Sequence, residues 1–301
     1  MEQATGSASP RPIRTGLLVA AGSEGRVRSA LESGADAVYL DLESVAPQEL
    51  PGARALVRRI VSERRRRPLL LVRVNAPHTG VAGDDLEAAV APGLYGIALP
   101  KIDGPADVAA IDDAVGSLEA RAGLPAGGIV MHPIIETAQA VRRAYRIARA
   151  STRVAHMGGV AAPRGDLARA LGFEWTAEGL ETLYVRSKVL VDARAAGVLY
   201  PMSGMAPVED DLEEARGIAL AARRLGYEGM LLGYPSHVEV VNAAFTPGVK
   251  EIEHWRAIVE AGREAAERGG EAVFRRRRLD PETVRSAERS LERARALGLV
   301  E

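Results

Sequence analysis

Cysteine is absent from all 301 residues. That excludes disulfides, thiolate metal sites and cysteine nucleophiles. Aromatic residues make up 4% of the chain, too few for a base-stacking nucleic-acid surface. Neither sign of charge prevails: 39 basic and 40 acidic residues leave a net charge of −1. No global field therefore marks a nucleic acid or a membrane as partner. No apolar run approaches the roughly 18 residues of a membrane span. The opening "MEQATGSASPRP" is small and polar and lacks the apolar core of a signal peptide. Residues 1–13 read as a disordered leader, and the protein as cytoplasmic. A phosphate loop is missing too, because "AAGSEG" after the first apolar run matches neither GxGxxG nor a Walker motif.

What the chain does have is 47% hydrophobic residues, placed in short runs. The runs are "TGLLVA" (15–20), "AVYLDLE" (37–43), "LLLVRVN" (69–75), "GIALPKI" (96–102), "GIVMHPIIE" (128–136), "RVAHMGG" (153–159), "VLYPMSG" (198–204) and "EGMLLGYP" (228–235). Each is nearly continuous in apolar residues, as a strand buried on both faces should be. Between them lie helical patterns. Val27, Ala30 and Leu31 precede Gly34, and an apolar stripe of Leu180, Leu183, Tyr184, Val191 and Ala195 ends at Gly197. Strand–helix alternation implies parallel, right-handed crossovers. Eight units predict an α/β fold, a (β/α)8 TIM barrel over 14–247; a doubly wound open sheet is the alternative, which periodicity does not exclude. Two further helical segments follow in 248–301. The second starts at Asp280 as N-cap with Pro281 in its first turn. Its narrow stripe of Val284, Ala287, Leu291, Ala294 and Leu297 suits packing on the barrel or on a partner subunit equally well.

Strand C-terminal ends form the active face of such a barrel. The polar residues arriving there are Glu43, Arg73 with Asn75, Lys101, Glu136, and Asp166 at the end of the loop that follows Gly158 and Gly159. Any one of these is a weak signal, but six groups on successive strands at one end are not. Asp41 and Glu43 point the same way along their strand, with Asp41 the deeper. Glu136 and Asp166 are hard oxygen donors, and a Mg²⁺ site often uses only one or two carboxylates. Arg73 offers a two-pronged fork for a carboxylate. A divalent cation beside an arginine suits an anionic oxo- or hydroxy-acid. The arginine runs 64–67 and 275–278 read as a solvated helix end and a solvated linker. His132 reads as a core histidine, and His237 as a weak candidate on the active face.

These residues bring a family into view. The stretches "SGADAVYLDLES", "LLVRVN", "GIALPKI", "IIET", "GYPSHVEVVNAAFTP" and, above all, "RGDLARALGFEWTAEGLETLYVRSKVLVDARAAGV" resemble the HpcH/HpaI aldolase and citrate lyase β-subunit superfamily, in particular the CitE-like CoA ester lyases. The resemblance spans about residues 14–300. It implies a TIM barrel, a Mg²⁺ ion (with Mn²⁺ as a substitute) and reversible carbon–carbon cleavage of a β-hydroxyacyl-CoA. Malyl-CoA or citramalyl-CoA would give an acyl-CoA and a 2-oxo acid. It implies Arg73 as binder of the substrate carboxylate and Glu136 and Asp166 as metal ligands. Glu43 and Asp41 join Arg73 as catalytic candidates; Asn75, Lys101, Gly158 and Gly159 are candidates for holding substrate. It also implies a homotrimer or homohexamer in which a C-terminal segment covers a neighbour's site.

The chain departs from the family pattern at several places. The usual "DLED" is "DLES", which puts Ser44 where another acid is common, and an expected "HP" near the last strand is Tyr234–Pro235. Two other readings therefore stand beside the lyase: a thioester hydrolase on the same site, and a barrel that binds an acyl-CoA without turnover.

Overall fold

A computed structural model describes residues 10–159, 165–176, 179–206 and 209–300. The chain divides into two compact units, Met1–Phe245 and Thr246–Glu301.

The first unit is built on seven parallel strands: β1 (Thr15–Ala20), β2 (Ala37–Asp41), β3 (Leu69–Arg73), β4 (Gly96–Leu99), β5 (Val130–Pro133), β6 (Met202–Ser203) and β7 (Gly229–Leu232). Their order in the sheet is β5-β4-β3-β2-β1-β7-β6. Helices alternate with them: α1 (Glu24–Leu31), α2 (Leu50–Ser62), α3 (Ala82–Ala89), α4 (Pro105–Arg121), α5 (Ala138–Ala148), α6 (Asp166–Leu171), α7 (Leu180–Ala196), α8 (Leu212–Leu225) and α9 (Val238–Phe245).

The apolar runs are strands because both of their faces are covered. Val38, Leu40, Leu70, Val72, Ile97, Leu99 and Met131 face the helices and join one core cluster. Their alternates, Ala37, Tyr39, Leu69, Leu71 and Ala98, join Ile134, Met202 and Leu231 in a second cluster on the concave side of the sheet. Such a curled parallel sheet with two cores needs apolar residues at every strand position, which explains the runs. Gly16 admits the Tyr39 ring to this inner core: a Cβ there would lie 2.6 Å from Tyr39 Cε2.

Among the described residues seven strands form the sheet, one fewer than the eight expected. The segment 153–159 makes only isolated parallel bridges, Met131 to Val154 and Ile134 to Gly158 on one side and Gly158 to Met202 on the other. It thus touches β5 and β6, the two edge strands, without forming a strand of its own. Gly158 (φ 151°) sits so close to β6 that a Cβ would fall 1.7 Å from the Met202 carbonyl oxygen, the kind of close backbone approach that glycine marks where a strand is irregular.

Two other expectations need correction. The leader does not extend to residue 13, because Ile13 is fully buried in the inner cluster, and the Arg11 N–H donates to the Tyr95 hydroxyl at 2.9 Å. Residues 1–9 lie outside the described part. The apolar stripe expected on α7 lies on its exposed face: Leu180, Tyr184 and Val191 are 71%, 73% and 65% exposed, whereas Thr182, Val185, Val189, Leu190 and Ala193 are buried. The buried apolar residues join the main core, and α7 packs against α5.

The second unit holds α10 (Val249–Arg268), a hairpin of β8 (Val273–Phe274) and β9 (Arg277–Arg278), and α11 (Pro281–Ala296). The Asp280 side chain caps α11 by accepting the Glu282 N–H at 2.7 Å, as the sequence indicates. The run 275–278 is not a linker. Arg275 and Arg276 occupy the hairpin turn with φ of 50° and 64°, and Arg278 pairs with Glu271 at 2.6 Å.

Candidate active site

Asp41 is the last residue of β2 and stands opposite Arg73, the last of β3, in the sheet register. Both continue the inward-facing rows that begin with Tyr39 and Leu71. The guanidinium is therefore delivered straight to a buried carboxylate. Arg73 Nε donates to Asp41 Oδ1 at 2.8 Å and Nη2 to Oδ2 at 2.6 Å. Such paired, charge-assisted bonds fix the plane of the fork as well as its position. Arg73 Nη1 reaches Glu43 Oε2 at 3.0 Å. Burial works against the Arg73 charge, but Asp41, Glu43 and Glu136 outweigh it and raise its pKa.

Ser44, where the family favours an acid, is part of this arrangement. Its hydroxyl donates to Asp41 Oδ2 and accepts from Arg73 Nη2 at 3.1 Å. Asp41 also accepts the Glu43 N–H at 3.0 Å. The turn after β2 is thus folded around one carboxylate.

Lys101 joins the remaining groups. It follows β4 with a left-handed backbone (φ 46°), which aims its N–H and its side chain at different carboxylates. The N–H donates to Glu136 Oε1 at 2.8 Å. Its Nζ lies 2.7 Å from Glu43 Oε1 and 3.8 Å from Asp166 Oδ2. Asp166 opens α6 and also pairs with Arg169 at 2.5 Å. Three carboxylates, Glu43, Glu136 and Asp166, therefore meet around one lysine, with Arg73 alongside. The pKa of Glu136 is pushed up to about 7, first by burial and further by Glu43 and Asp166, against the Lys101 N–H and Arg73.

The donor set fits a divalent cation. Among the described residues no three His, Asp or Glu side chains form a closed metal cage. Magnesium does not need one, since it keeps several waters and takes one or two carboxylates. Glu136 Oε2 has no hydrogen-bond donor among the described residues. A half-buried carboxylate with two others close by favours a cation beside it, and Asp166 supplies a second hard oxygen.

Other expected site residues are placed differently. Asn75 is held by the frame: its N–H and Nδ2 both donate to Asp85 Oδ2, at 2.7 and 2.8 Å, and Arg54 Nε holds the other oxygen of Asp85 at 2.8 Å. Its donors are occupied. Gly158 and Gly159 donate their N–H groups to Pro133 and Met202 carbonyls at 3.3 and 3.0 Å, so neither amide is open to a ligand. His132 is a core histidine, fully buried with Nδ1 2.8 Å from the Tyr39 hydroxyl. His237 is buried too, with Nε2 3.0 Å from the Glu209 carbonyl. Residues 160–164, between Gly159 and Asp166, lie outside the described part. The roles of Ser44, Asp85 and Arg54 have no signal in the sequence, because each depends on a partner more than 10 residues away or on a hydroxyl's rotation.

The whole arrangement stands at the carboxyl ends of parallel strands. The family model for HpcH/HpaI aldolase/citrate lyase matches residues 14–235, the span that carries it. The chain belongs to this family. It is 31% identical over 297 residues to the citrate lyase subunit beta of Escherichia coli, covering 97% of this chain and 96% of that protein. It is 30% identical over 294 residues to a (3S)-malyl-CoA thioesterase of Cereibacter sphaeroides, covering 95% and 96%. Among solved structures it is similar to CitE of Mycobacterium tuberculosis in complex with magnesium, acetoacetate and coenzyme A, with a TM-score of 0.67 and 26% identity over 95% of this chain and 98% of that one. The relatives thus include a lyase subunit and a thioesterase on one fold. No helix among the described residues is long and apolar enough to cross a membrane.

Proposed function

We propose that the protein is a Mg²⁺-dependent carbon–carbon lyase that cleaves, or in reverse forms, a β-hydroxyacyl-CoA such as malyl-CoA or citramalyl-CoA. The observation that carries this reading is the meeting of Glu43, Glu136 and Asp166 around Lys101 beside an arginine locked by Asp41. In the same proposal the curled sheet is an eight-unit barrel, with residues 153–159 filling the place between β5 and β6.

The residues divide the work as follows. Arg73 binds the carboxylate of the hydroxy-acid part through Nη1, the nitrogen that also reaches Glu43 Oε2 at 3.0 Å, while Asp41 and Ser44 keep the guanidinium from turning. Glu136 and Asp166 would hold the cation, which when bound would supply Lewis-acid stabilisation of negative charge on oxygen. Glu43 accepts the proton of the substrate hydroxyl, steered by Lys101 Nζ. As that proton leaves, the hydroxyl carbon becomes the carbonyl of the 2-oxo acid. The carbon–carbon bond breaks and its electron pair passes into the thioester carbonyl. Protonation of the acyl α-carbon then completes the acyl-CoA.

The likeness to a malyl-CoA thioesterase supports a second reading, in which the same carboxylates direct water onto the thioester. Incubation with malyl-CoA and citramalyl-CoA, with Mg²⁺ and with EDTA, separates the two. Release of glyoxylate or pyruvate with an acyl-CoA supports the lyase, and free CoA without a 2-oxo acid supports the hydrolase. No Mg²⁺-dependent product from either substrate overturns both.

A further inference from the structure

The opposite end of the strands carries a second collection of charge. In a parallel sheet every segment that leads into a strand lies at one end, away from Asp41 and Arg73. Arg11 precedes β1, residues 64–68 precede β3, and Pro92–Tyr95 precede β4. These three segments enclose a cleft of about 700 Å³ lined by Arg11, Arg64, Arg65, Arg66, Arg67 and Tyr95, with Pro92, Leu94 and the start of β3 as apolar wall.

Arg64, Arg65, Arg66 and Arg67 are exposed and Arg11 is half-buried, and all five are poorly compensated. Arg65 pairs with Glu63 at 2.9 Å and Arg67 lies 3.6 Å from Asp36. Asp36 is already held by Arg14 through both oxygens, and Glu63 by Arg28 at 2.6 Å. Arg11, Arg64 and Arg66 have no carboxylate partner among the described residues. The backbone favours this concentration: Arg64 turns the chain in the left-handed region (φ 52°), so that four consecutive arginines wrap the rim. Tyr95 adds a neutral hydroxyl, since burial pushes its pKa up to about 12, and this oxygen accepts the Arg11 N–H at 2.9 Å. No carboxylate lines the cleft.

We propose that this cleft binds a small molecule carrying several phosphate groups, at a site separate from the carboxylate-rich face. Guanidinium forks match phosphate oxygens in pairs. The cleft's volume is that of a nucleotide-sized ligand, and the apolar wall gives a non-phosphate part a surface to rest on. A nucleic acid is the weaker candidate, because the only aromatic side chain here is Tyr95, whose hydroxyl is already engaged and which is too little to stack bases. The site is independent of the reaction at the other face.

The test is titration calorimetry of the full chain with inorganic tripolyphosphate and with ATP, in EDTA so that metal-bridged binding elsewhere is removed. The expected result is one saturable site for both probes, weakening as salt is raised, and a rise in Tm on loading. The double variant R64S/R66S should bind at least about tenfold more weakly, since each charged hydrogen bond lost costs about that factor. Both side chains are exposed, so the variant should fold with an unchanged Tm when no ligand is present. E136Q should bind tripolyphosphate as the wild type does. No binding to the wild type overturns the proposal, as does equal affinity of R64S/R66S or loss of binding in E136Q. Retention of a single-stranded oligonucleotide, with tripolyphosphate no tighter than orthophosphate, overturns it in favour of a nucleic acid.

Discussion

Truncating Asp41 to alanine tests how firmly the arginine fork is tied. Asp41 is 3% exposed, and its two oxygens take Arg73 Nε, Arg73 Nη2, the Ser44 hydroxyl and the Glu43 N–H. The variant deletes two charge-assisted bonds and two others in one step. It also leaves the Arg73 guanidinium, whose side chain is 14% exposed, with Glu43 as its only carboxylate in contact among the described residues. Removing one partner of a buried ion pair costs about 3–5 kcal/mol, because the remaining charge keeps its desolvation penalty. For a domain of ordinary stability that is a third or more of the total. Urea unfolding followed by circular dichroism measures it, as a fall in midpoint at constant slope. A double-mutant cycle with Arg73→Leu separates the pair from its surroundings. The double variant should be less destabilised than the sum of the singles by about 2 kcal/mol or more. A loss below about 1 kcal/mol for Asp41→Ala, or strictly additive losses, would refute the view that Asp41 holds Arg73.

Glu136→Gln keeps the shape and removes the charge; Mg²⁺ binding measured by calorimetry should be lost together with metal-dependent turnover, and full turnover would sink the metal assignment. Gly158→Ala puts a methyl group 1.7 Å from the Met202 carbonyl oxygen on backbone that only glycine tolerates, so little soluble, folded protein should be recovered on expression. Tyr39→Phe leaves both nitrogens of the buried His132 without a partner among the described residues and should lower stability by about 1–3 kcal/mol, read from thermal unfolding. The buried histidines also set an acid limit. Burial lowers the pKa of His156 to about 4, and that of His132 well below its usual value. Both stay neutral in the fold but gain a proton near pH 6.5 when unfolded. Stability is then complete above about pH 6.5 and falls as pH drops toward 4, by on the order of 3 kcal/mol for His156; a flat stability profile over that window would contradict it.

Much of the first unit is readable in the chain because buried parallel strands leave a strong mark. Seven of the eight apolar runs contain a sheet strand, and the polar residues just past them arrive at one end as strand geometry requires. The eighth run, 153–159, has the composition of a strand, but the close approach of Gly158 to Met202 is a property of two distant segments. On α7, apolar residues occur on more than one face, so periodicity does not choose between Leu180–Tyr184–Val191 and Val185–Val189–Ala193; only the shape of the α5 surface does. Ile13 stands alone in a small, polar stretch and gives no period at all. At the site, the types and order of Asp41, Glu43, Arg73, Lys101, Glu136 and Asp166 are visible in the sequence. That Asn75, Gly158 and Gly159 spend their donors on the protein itself is not, because hydrogen-bond partners are set by tertiary distance.

The near-zero net charge conceals an ordered distribution. Carboxylates gather where the strands end, at Asp41, Glu43, Glu136 and Asp166. Arginines gather where strands begin, at Arg11, Arg14 and residues 64–67. Over the whole chain 39 basic and 40 acidic residues leave −1, and composition alone then argues against any charged partner. Potential at a surface depends on local charge within about a Debye length, roughly 8 Å at physiological salt, a distance far shorter than the whole fold. Each end therefore acts on ligands almost independently of the other. In the proposed function the carboxylate end draws cations and, through Arg73 and Lys101, positions an anionic acid among them. The arginine end offers an anion only attraction. A charge count excludes a uniform field, but it cannot exclude two opposite ones, and in this protein the polarity of a parallel sheet is what keeps them apart.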